Sequence, residues 1–440
     1  MKKLYIYLLI ACSLTLSSCN EWLTVQPSEV MSEDEMFETK QGFYDALYGV
    51  YSGLRTNYDH NGPLMTTTIE HMGAQWVVAA SSNEEKIRNH QYEDAGQQPF
   101  SYPFKNQFIS IANVNNILKY LESQSFLLES DYNLLKGECL ALRAWLHFDL
   151  IRIWGPIPGH ESASYKYLPY VHDLANERHT YYNYADYMGY LAADLDEAET
   201  LLKDFALEDN YRLNYMGVLG LQARVNLWLQ DKETALAYAE QIISYVNSEE
   251  NSYYKFATIN NIGTEDYRFR KEQLFGIHVN FESSTFQNTT TLYNSTAFLN
   301  ELYENSASDI RAMLWTERTV TGLSEPAKDI LKYLSGSGSV SIVRLAEIYF
   351  IAMECGTVKR ANELYKVFCA ARGLATVEIT TEAQVEDILY KEYRKEFFGE
   401  GVMFYYYKRH FTLNIPRNPN KCTADSYVLE LPTREVDVNS

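Results

Sequence analysis

Apolar residues follow two patterns along this chain. Between Leu4 and Leu16 they run almost continuously, broken only by Ser13 and Thr15. From about residue 33 onward they recur at helical spacing, in stretches separated by polar or proline-containing segments. A spacing of three and four residues collects apolar side chains on one helix face. Ser32 before Glu33-Asp34-Glu35 supplies the cap and acidic first turn that helix N-termini favour. Phe43, Leu47, Val50, Tyr51 and Leu54 continue that helix. Residues 56–104 lose the period and carry Asn61-Gly62, Pro63, Pro99 and Pro103, which predicts a long irregular stretch. Loops of that length are often functional.

Helical patterning returns at about 105–128 and is strongest at 132–154. There Leu135, Leu142, Trp145, Phe148, Ile151 and Trp154 form a broad apolar face, and Gly155-Pro156-Ile157-Pro158-Gly159 ends it. Another helix is predicted over about 180–204. Two helical runs, 215–229 and 232–246, are joined by Gln230-Asp231, with Ala223 and Ala235 where two helices could pack closely. A second such pair is predicted at 340–355 and 358–373. Paired helices of this kind resemble tetratricopeptide hairpins. Residues 247–339 are rich in Asn, Ser, Thr and Tyr, with a strand predicted at Gln273–Val279 and a flexible connector at Gly336-Ser337-Gly338-Ser339. A last helix covers about 382–398, and the tail after Pro416 is polar and irregular. The fold class is therefore mainly all-α: helical hairpins carrying long irregular loops.

The first apolar run is too short to span a bilayer as a helix, which needs roughly 20 apolar residues. With Lys2 and Lys3 before it and Ser17-Ser18 after it, the run reads as a secretory signal peptide over residues 1–18. Cys19 follows at once, and Leu16-Ser17-Ser18-Cys19 resembles the bacterial lipobox, whose cysteine is lipidated. The expected mature chain is 19–440. The formal charge of −20 becomes −22 when Lys2 and Lys3 are removed, which argues against a nucleic-acid partner. Cys139, Cys355, Cys369 and Cys422 show neither a disulfide framework nor metal-ligand spacing.

Four segments, taken in order, resemble the SusD/RagB family of outer-membrane proteins. They are Gly42-Phe43-Tyr44-Asp45-Ala46-Leu47-Tyr48-Gly49-Val50-Tyr51, the helix Gly137–Gly155, Val343-Arg344-Leu345-Ala346-Glu347-Ile348-Tyr349, and Tyr393–Gly401 with Lys408-Arg409 beyond it. The chain departs from the family pattern at Met403, where a basic residue is usual, and at Cys139, where alanine is usual. The resemblance implies a lipid-anchored protein on the outer membrane, facing the exterior. It would bind a nutrient oligosaccharide, or a peptide in some members, and pass it to a SusC-like TonB-dependent transporter. It also implies an N-terminal part over about 19–205 and a C-terminal part over about 206–440, with the binding segment variable at 247–339.

No HExxH, GxSxG or P-loop motif occurs, so neither catalysis nor a cofactor is expected. His71 and His90 lack paired ligand spacing, so no metal site is expected. Arg143, Asp149 and Arg152 on the 132–154 helix read as a buried ion-pair set. For ligand binding, aromatic rings outside the helical frames can stack on a sugar ring while polar side chains bind its hydroxyls. Trp76, Trp315 and Tyr293 are the stacking candidates, and Tyr58, Asn83 and Arg318 are secondary candidates. The alternative for each is that it packs its own loop. Two rival functions remain open: a helical assembly scaffold without a small ligand, and a glycan hydrolase. If the lipobox reading holds, Cys19→Ala should give a folded, ligand-competent protein that leaves the membrane fraction; a variant that stays membrane-bound contradicts it.

Overall fold

A computed structural model describes residues 32–59, 62–96, 98–174, 178–205, 210–258, 267–281, 294–333 and 336–432. The signal run, Cys19 and Tyr293 lie outside these described residues. The chain divides into two compact units, residues 1–46 and 47–440. In the first, helix α1 (Glu33–Met36) begins with a capping box in which Ser32 and Glu35 satisfy each other's backbone N–H. The Phe37 and Phe43 rings meet at 4.9 Å, tilted to one another, within this unit. Helix α2 (Lys40–Tyr58) runs through the boundary.

The second unit is mainly helical. Short helices α3 (Thr68–Met72), α4 (Asn83–Arg88) and α5 (Tyr92–Ala95) occupy much of the stretch predicted to be irregular. Helix α6 (Gln98–Ser123) starts earlier than its apolar period and takes in Pro99 and Pro103. Pro99, the second helical residue, costs little because its N–H would have no intrahelical partner, whereas Pro103 lies inside the helix and removes the N–H that would reach the Pro99 carbonyl. The carbonyl of Pro103 is used in turn by the Asn57 side-chain amide at 3.0 Å. The helix stops at Ser123 because the Gln124 side-chain oxygen accepts from the backbone N–H groups of Phe126 and Leu127.

Helix α7 (Glu129–Trp154) is the centre of the N-terminal half. From Gly137 to Trp154 it is buried on every side, charged residues included. Such burial is tolerable only where each charge has a partner. Arg143 binds Asp194 through two bonds of 2.7 and 2.6 Å, and the Tyr170 hydroxyl donates to the same carboxylate at 2.5 Å. Asp149 pairs with Arg152 and accepts from the Tyr58 hydroxyl at 2.5 Å. Glu138 pairs with Arg212 and accepts from the Tyr51 hydroxyl at 3.0 Å. The expected structural role of Arg143, Asp149 and Arg152 is thus what the contacts describe.

A small hairpin, β1 (Leu168–Pro169) with β2 (Tyr181–Tyr182), leads into α8 (Tyr184–Leu202), which packs on α7. Next come α9 (Tyr215–Trp228) and α10 (Lys232–Val246), the predicted hairpin, with Ala223 and Ala235 fully buried. The second predicted pair is present as helices Leu345–Cys355 and Val358–Arg372, so it begins later than expected. Residues 340–344 belong to a strand, not to a helix.

That strand corrects the connector reading as well. β3 (Gln273–Phe281) pairs antiparallel with β6 (Gly336–Arg344), with His278 opposite Ser339 and Val279 opposite Gly338. The Gly-Ser run is therefore part of a sheet. At Gly338 a Cβ would lie 2.4 Å from the Arg268 guanidinium, whose Nε donates to the Lys332 carbonyl, so a side chain there would displace that arginine. Between the two strands lie α11 (Thr296–Leu302) and a second antiparallel pair, β4 (Trp315–Arg318) with β5 (Ala327–Ile330). After β6 follow α12 (Leu345–Cys355), α13 (Val358–Arg372), α14 (Glu382–Glu396) and α15 (Met403–Arg409). A capping box, Thr381 with Gln384, starts α14.

The C-terminal half is organised around buried charge. Glu396, at the end of α14, accepts from Arg372 at 2.6 and 2.9 Å, from Arg344 at 2.8 Å and from Arg311 at 3.3 Å. Arg344 also bonds Glu400 and Glu272, and Arg372 bonds Glu272 at 2.9 Å. Arg311 adds Asp309 at 2.8 Å and Glu392 at 2.7 Å. Burial alone would raise the Glu396 pKa, but Arg372, Arg344 and Arg311 outweigh it and hold the carboxyl well below its usual range. Removing one member strands its partners as unpaired buried charges. Glu396→Gln should therefore cost roughly 3–5 kcal/mol in urea denaturation; a loss below about 1 kcal/mol would refute this role.

Candidate functional site

The ionic set fixes the turn that follows α14. Lys332 donates to the Glu396 carbonyl at 2.9 Å and to Glu400 at 2.5 Å, while the Tyr333 hydroxyl donates to the Gly399 carbonyl at 2.6 Å. Gly401 has φ +67, and a Cβ there would meet the Leu64 carbonyl oxygen at 2.5 Å. Its N–H donates to Glu70 at 2.8 Å, which draws the 62–76 segment onto the turn. Held this way, the turn presents Phe398 to two tryptophans. Trp76 meets Phe398 edge-on at 4.8 Å, and Trp315 meets it at 5.0 Å. Phe298 approaches Phe398 to 5.9 Å.

Polar groups border this aromatic cluster. The Asn294 backbone bridges to Lys328 on β5, and its buried side chain donates to the Gln75 carbonyl at 3.2 Å. Arg417 donates to the same carbonyl at 2.7 Å and to the Asn294 side-chain oxygen at 3.0 Å. Its guanidinium lies 4.3 Å from the Phe298 ring centroid, an arginine–aromatic stack. Arg318 is paired with Asp329 across the β4–β5 ladder, at 2.5 and 3.1 Å. Burial and the positive charges of Arg88 and Arg394, opposed by Glu301, bring the Arg417 pKa down to about 10.

The predicted residues fall into different situations. Trp76 is fully buried, and its indole N–H donates to the Thr66 carbonyl at 2.8 Å, so it supports the cluster from inside and offers no stacking face. Trp315 is half-buried; its N–H donates to the Tyr303 hydroxyl at 3.0 Å. The two expected tryptophans are thus brought to one ring, Phe398, with only Trp315 reaching solvent. Tyr58 is a core residue: its hydroxyl is bound to Asp149 and its ring packs on Trp145 at 4.6 Å. Asn83 is exposed at the start of α4. Arg318 is half-buried on β4, three residues beyond Trp315.

Sequence reasoning missed Phe398, Asn294 and Arg417. Phe398 lies inside the C-terminal motif and carried a signal that was read only as family membership. Arg417 and Asn294 sit in stretches without periodicity, so no spacing marks them. Among the described residues, no group of three His, Cys, Asp or Glu side chains could hold a metal ion. A surface groove of about 560 Å³ lies behind Tyr303, lined by Tyr365, Lys391, Glu392 and Lys395 among others. None of the six sequence candidates lines it.

Comparison with known proteins agrees with this architecture. A family described as starch-binding and associating with the outer membrane matches residues 21–227. A SusD-like protein of Formosa agariphila is 24% identical over 247 residues, which is 53% of this chain and 44% of that protein. The chain thus matches less than half the length of that relative. A SusD superfamily protein of Bacteroides thetaiotaomicron has a similar structure, with a TM-score of 0.76 and 19% identity, covering 91% of this chain and 98% of that one. A laminarin-binding SusD-like protein gives a TM-score of 0.70 and 17% identity, covering 90% and 97%. These likenesses define a SusD-type helical fold. Residues 21–227 resemble that outer-membrane starch-binding family, and the SusD-type fold extends over most of the chain.

Glu70 gives this region a pH dependence. Burial raises its pKa from 4.5 to about 8, with the Gly401 N–H opposing and Glu400 adding to the rise. A raised folded-state pKa favours the protonated form, so its contribution is full below pH 4.5 and lost as pH rises through about 8. Glu70→Gln keeps an acceptor for Gly401. It should flatten the decline in stability between about pH 5 and pH 8.5 and stabilise the protein at the upper end, by roughly 1.4 kcal/mol or more. A variant that parallels the wild type across that range would contradict this assignment.

Proposed function

We propose that this protein is a lipid-anchored, exterior-facing glycan binder that holds an oligosaccharide for a SusC-like TonB-dependent transporter of the outer membrane. The observation that carries the reading is Trp315. Its indole is held by Tyr303 and Phe398, while the residue as a whole is only half-buried. A fixed aromatic face binds the apolar C–H side of a pyranose at little entropic cost. In this reading Trp315 stacks, Arg318 and Asn83 contact hydroxyls, and Tyr293 supplies a further ring. Trp76 acts as the buttress. The solved relative with laminarin binding in its description supports the ligand class. The family's description supports the membrane setting, with Cys19 as the lipid anchor and the binding segment within 247–339 of a C-terminal part beginning near 206.

Binding without turnover is part of the proposal. Glycoside hydrolysis uses two carboxyl groups flanking the scissile bond. The acidic residues of the β4–β5 pair, Glu317 and Asp329, are each held in ion pairs, with Lys328 at 2.5 Å and Arg318 at 2.5 Å. That geometry suits support of the ladder better than proton transfer.

The test is calorimetric titration of a panel of oligosaccharides and peptides, with product analysis, on two variants. Trp315→Ala should weaken glycan binding at least about tenfold, near 1.4 kcal/mol. Trp76→Ala should instead lose roughly 3–5 kcal/mol of stability, as expected for an excavated core aromatic. Unchanged binding in Trp315→Ala sinks the site. Turnover of a glycan favours the hydrolase, peptide binding alone favours the peptide branch, and silence across the panel favours a scaffold.

A further inference from the structure

Arg417 uses only part of its hydrogen-bonding capacity. A guanidinium carries five N–H donors. Arg417 Nη1 donates to two neutral acceptors, the Gln75 carbonyl and the Asn294 side-chain oxygen. Its Nε and Nη2 donors have no acceptor among the described residues and are not sealed in the interior. No carboxylate among the described residues forms an ion pair with Arg417, whereas Arg88 is paired with Glu85 at 3.0 Å and Arg394 with Glu301 at 3.4 Å. Arg143, Arg224, Arg311, Arg344, Arg372 and Arg409 all have acidic partners. Arg417 is therefore a half-buried cation held rigidly, with its free edge turned to solvent.

Two further observations point the same way. Arg417 has φ +71, a left-handed backbone uncommon for a residue with a side chain. Such strain persists where surrounding structure enforces it and collects at functional sites. The side chain is also placed against its own electrostatic interest. It sits partly desolvated on Phe298, near the positive charges of Arg88 and Arg394 and the opposing charge of Glu301. An anion would relieve both costs. The whole chain carries −20, which repels anions at long range, so anion binding here would depend on this local positive spot.

We propose that Arg417 recognises an oxyanion on the glycan through its unused donors, so that the preferred ligand is an acidic polysaccharide. This rests on the glycan-binding reading and deepens it. The shared chemistry is a planar or tetrahedral oxyanion able to take two N–H donors from one edge of a guanidinium. A uronate carboxylate and a sulfate ester both qualify. Trp315 would stack the sugar while Arg417 takes the charge.

The experiment titrates the full mature protein with polygalacturonate, a sulfated galactan and neutral laminarin. One acidic glycan should bind at least about tenfold tighter than laminarin, and the advantage should shrink from about 50 to about 500 mM NaCl as charges are screened. The glycan that binds identifies the source as carboxylate or sulfate. Arg417→Gln should weaken that glycan at least about tenfold and flatten its salt dependence, while Arg417→Lys retains part of both. If Arg417→Gln melts lower, Arg417→Lys and the wild-type salt series decide. Acidic glycans binding no tighter than laminarin, or a preference that survives in Arg417→Gln, overturns the inference and leaves the glycan reading standing. Silence with all three glycans overturns both.

Discussion

Glu396 and the three arginines around it are the constraint on which the C-terminal half depends. Each ion taken out of water costs several kcal/mol, and that cost is offset only when all partners are in place. The partners come from distant parts of the chain: the short 3₁₀ turn Arg270–Glu272, the segment Asp309–Arg311, the end of β6, the end of α13 and the end of α14. The set therefore forms all at once or at a severe cost. Once formed, it fixes the 397–401 turn, and that turn carries Phe398. The aromatic cluster around Trp315 is in this sense an outgrowth of the charge set, and its precision is borrowed from it.

This explains why the chain's most family-like segments are charged residues in helical frames. Arg344 of the third segment and Glu396 and Glu400 of the fourth are direct partners in space. Arg143 and Asp149 of the second serve an independent set around α7. Arg143, Asp149 and Arg152 could be read as buried pairs from the sequence because they lie on a strongly apolar helix, and the structure buries that helix on every side. It gave no way to pair Arg344 with Glu396, since nothing in spacing links residues that far apart.

The helices were legible where apolar period and end signals agreed. The α9–α10 pair, α7 and α14 were predicted within a few residues of their ends. The misses have physical causes. Pro99 and Pro103 read as breakers, yet the helix start tolerates Pro99 and the helix continues through Pro103. Gly336–Ser339 read as a linker, yet β3 pairs with it and Arg268 fills the space a side chain would take. At the site, choosing tryptophans outside the helical frames found two residues that share one ring. Which of them faces solvent depends on Thr66, Tyr303 and Phe398, and that is tertiary information. Arg417 was invisible because its significance is a missing partner, and a missing partner can be seen only in three dimensions.

The resulting picture has a rigid interior and a candidate binding face. The helical hairpins and the two ionic sets supply stiffness, and the β4–β5 pair, Asn294 and Arg417 frame one half-exposed indole. The most direct test is a crystal structure of the protein with a bound oligosaccharide. The account predicts sugar density stacked on Trp315 and within hydrogen-bond distance of Arg417, with Phe398 and the Glu396 set unmoved. Sugar bound instead along the α9–α10 hairpin, or bound only after Phe398 leaves its place between Trp76 and Trp315, would contradict it.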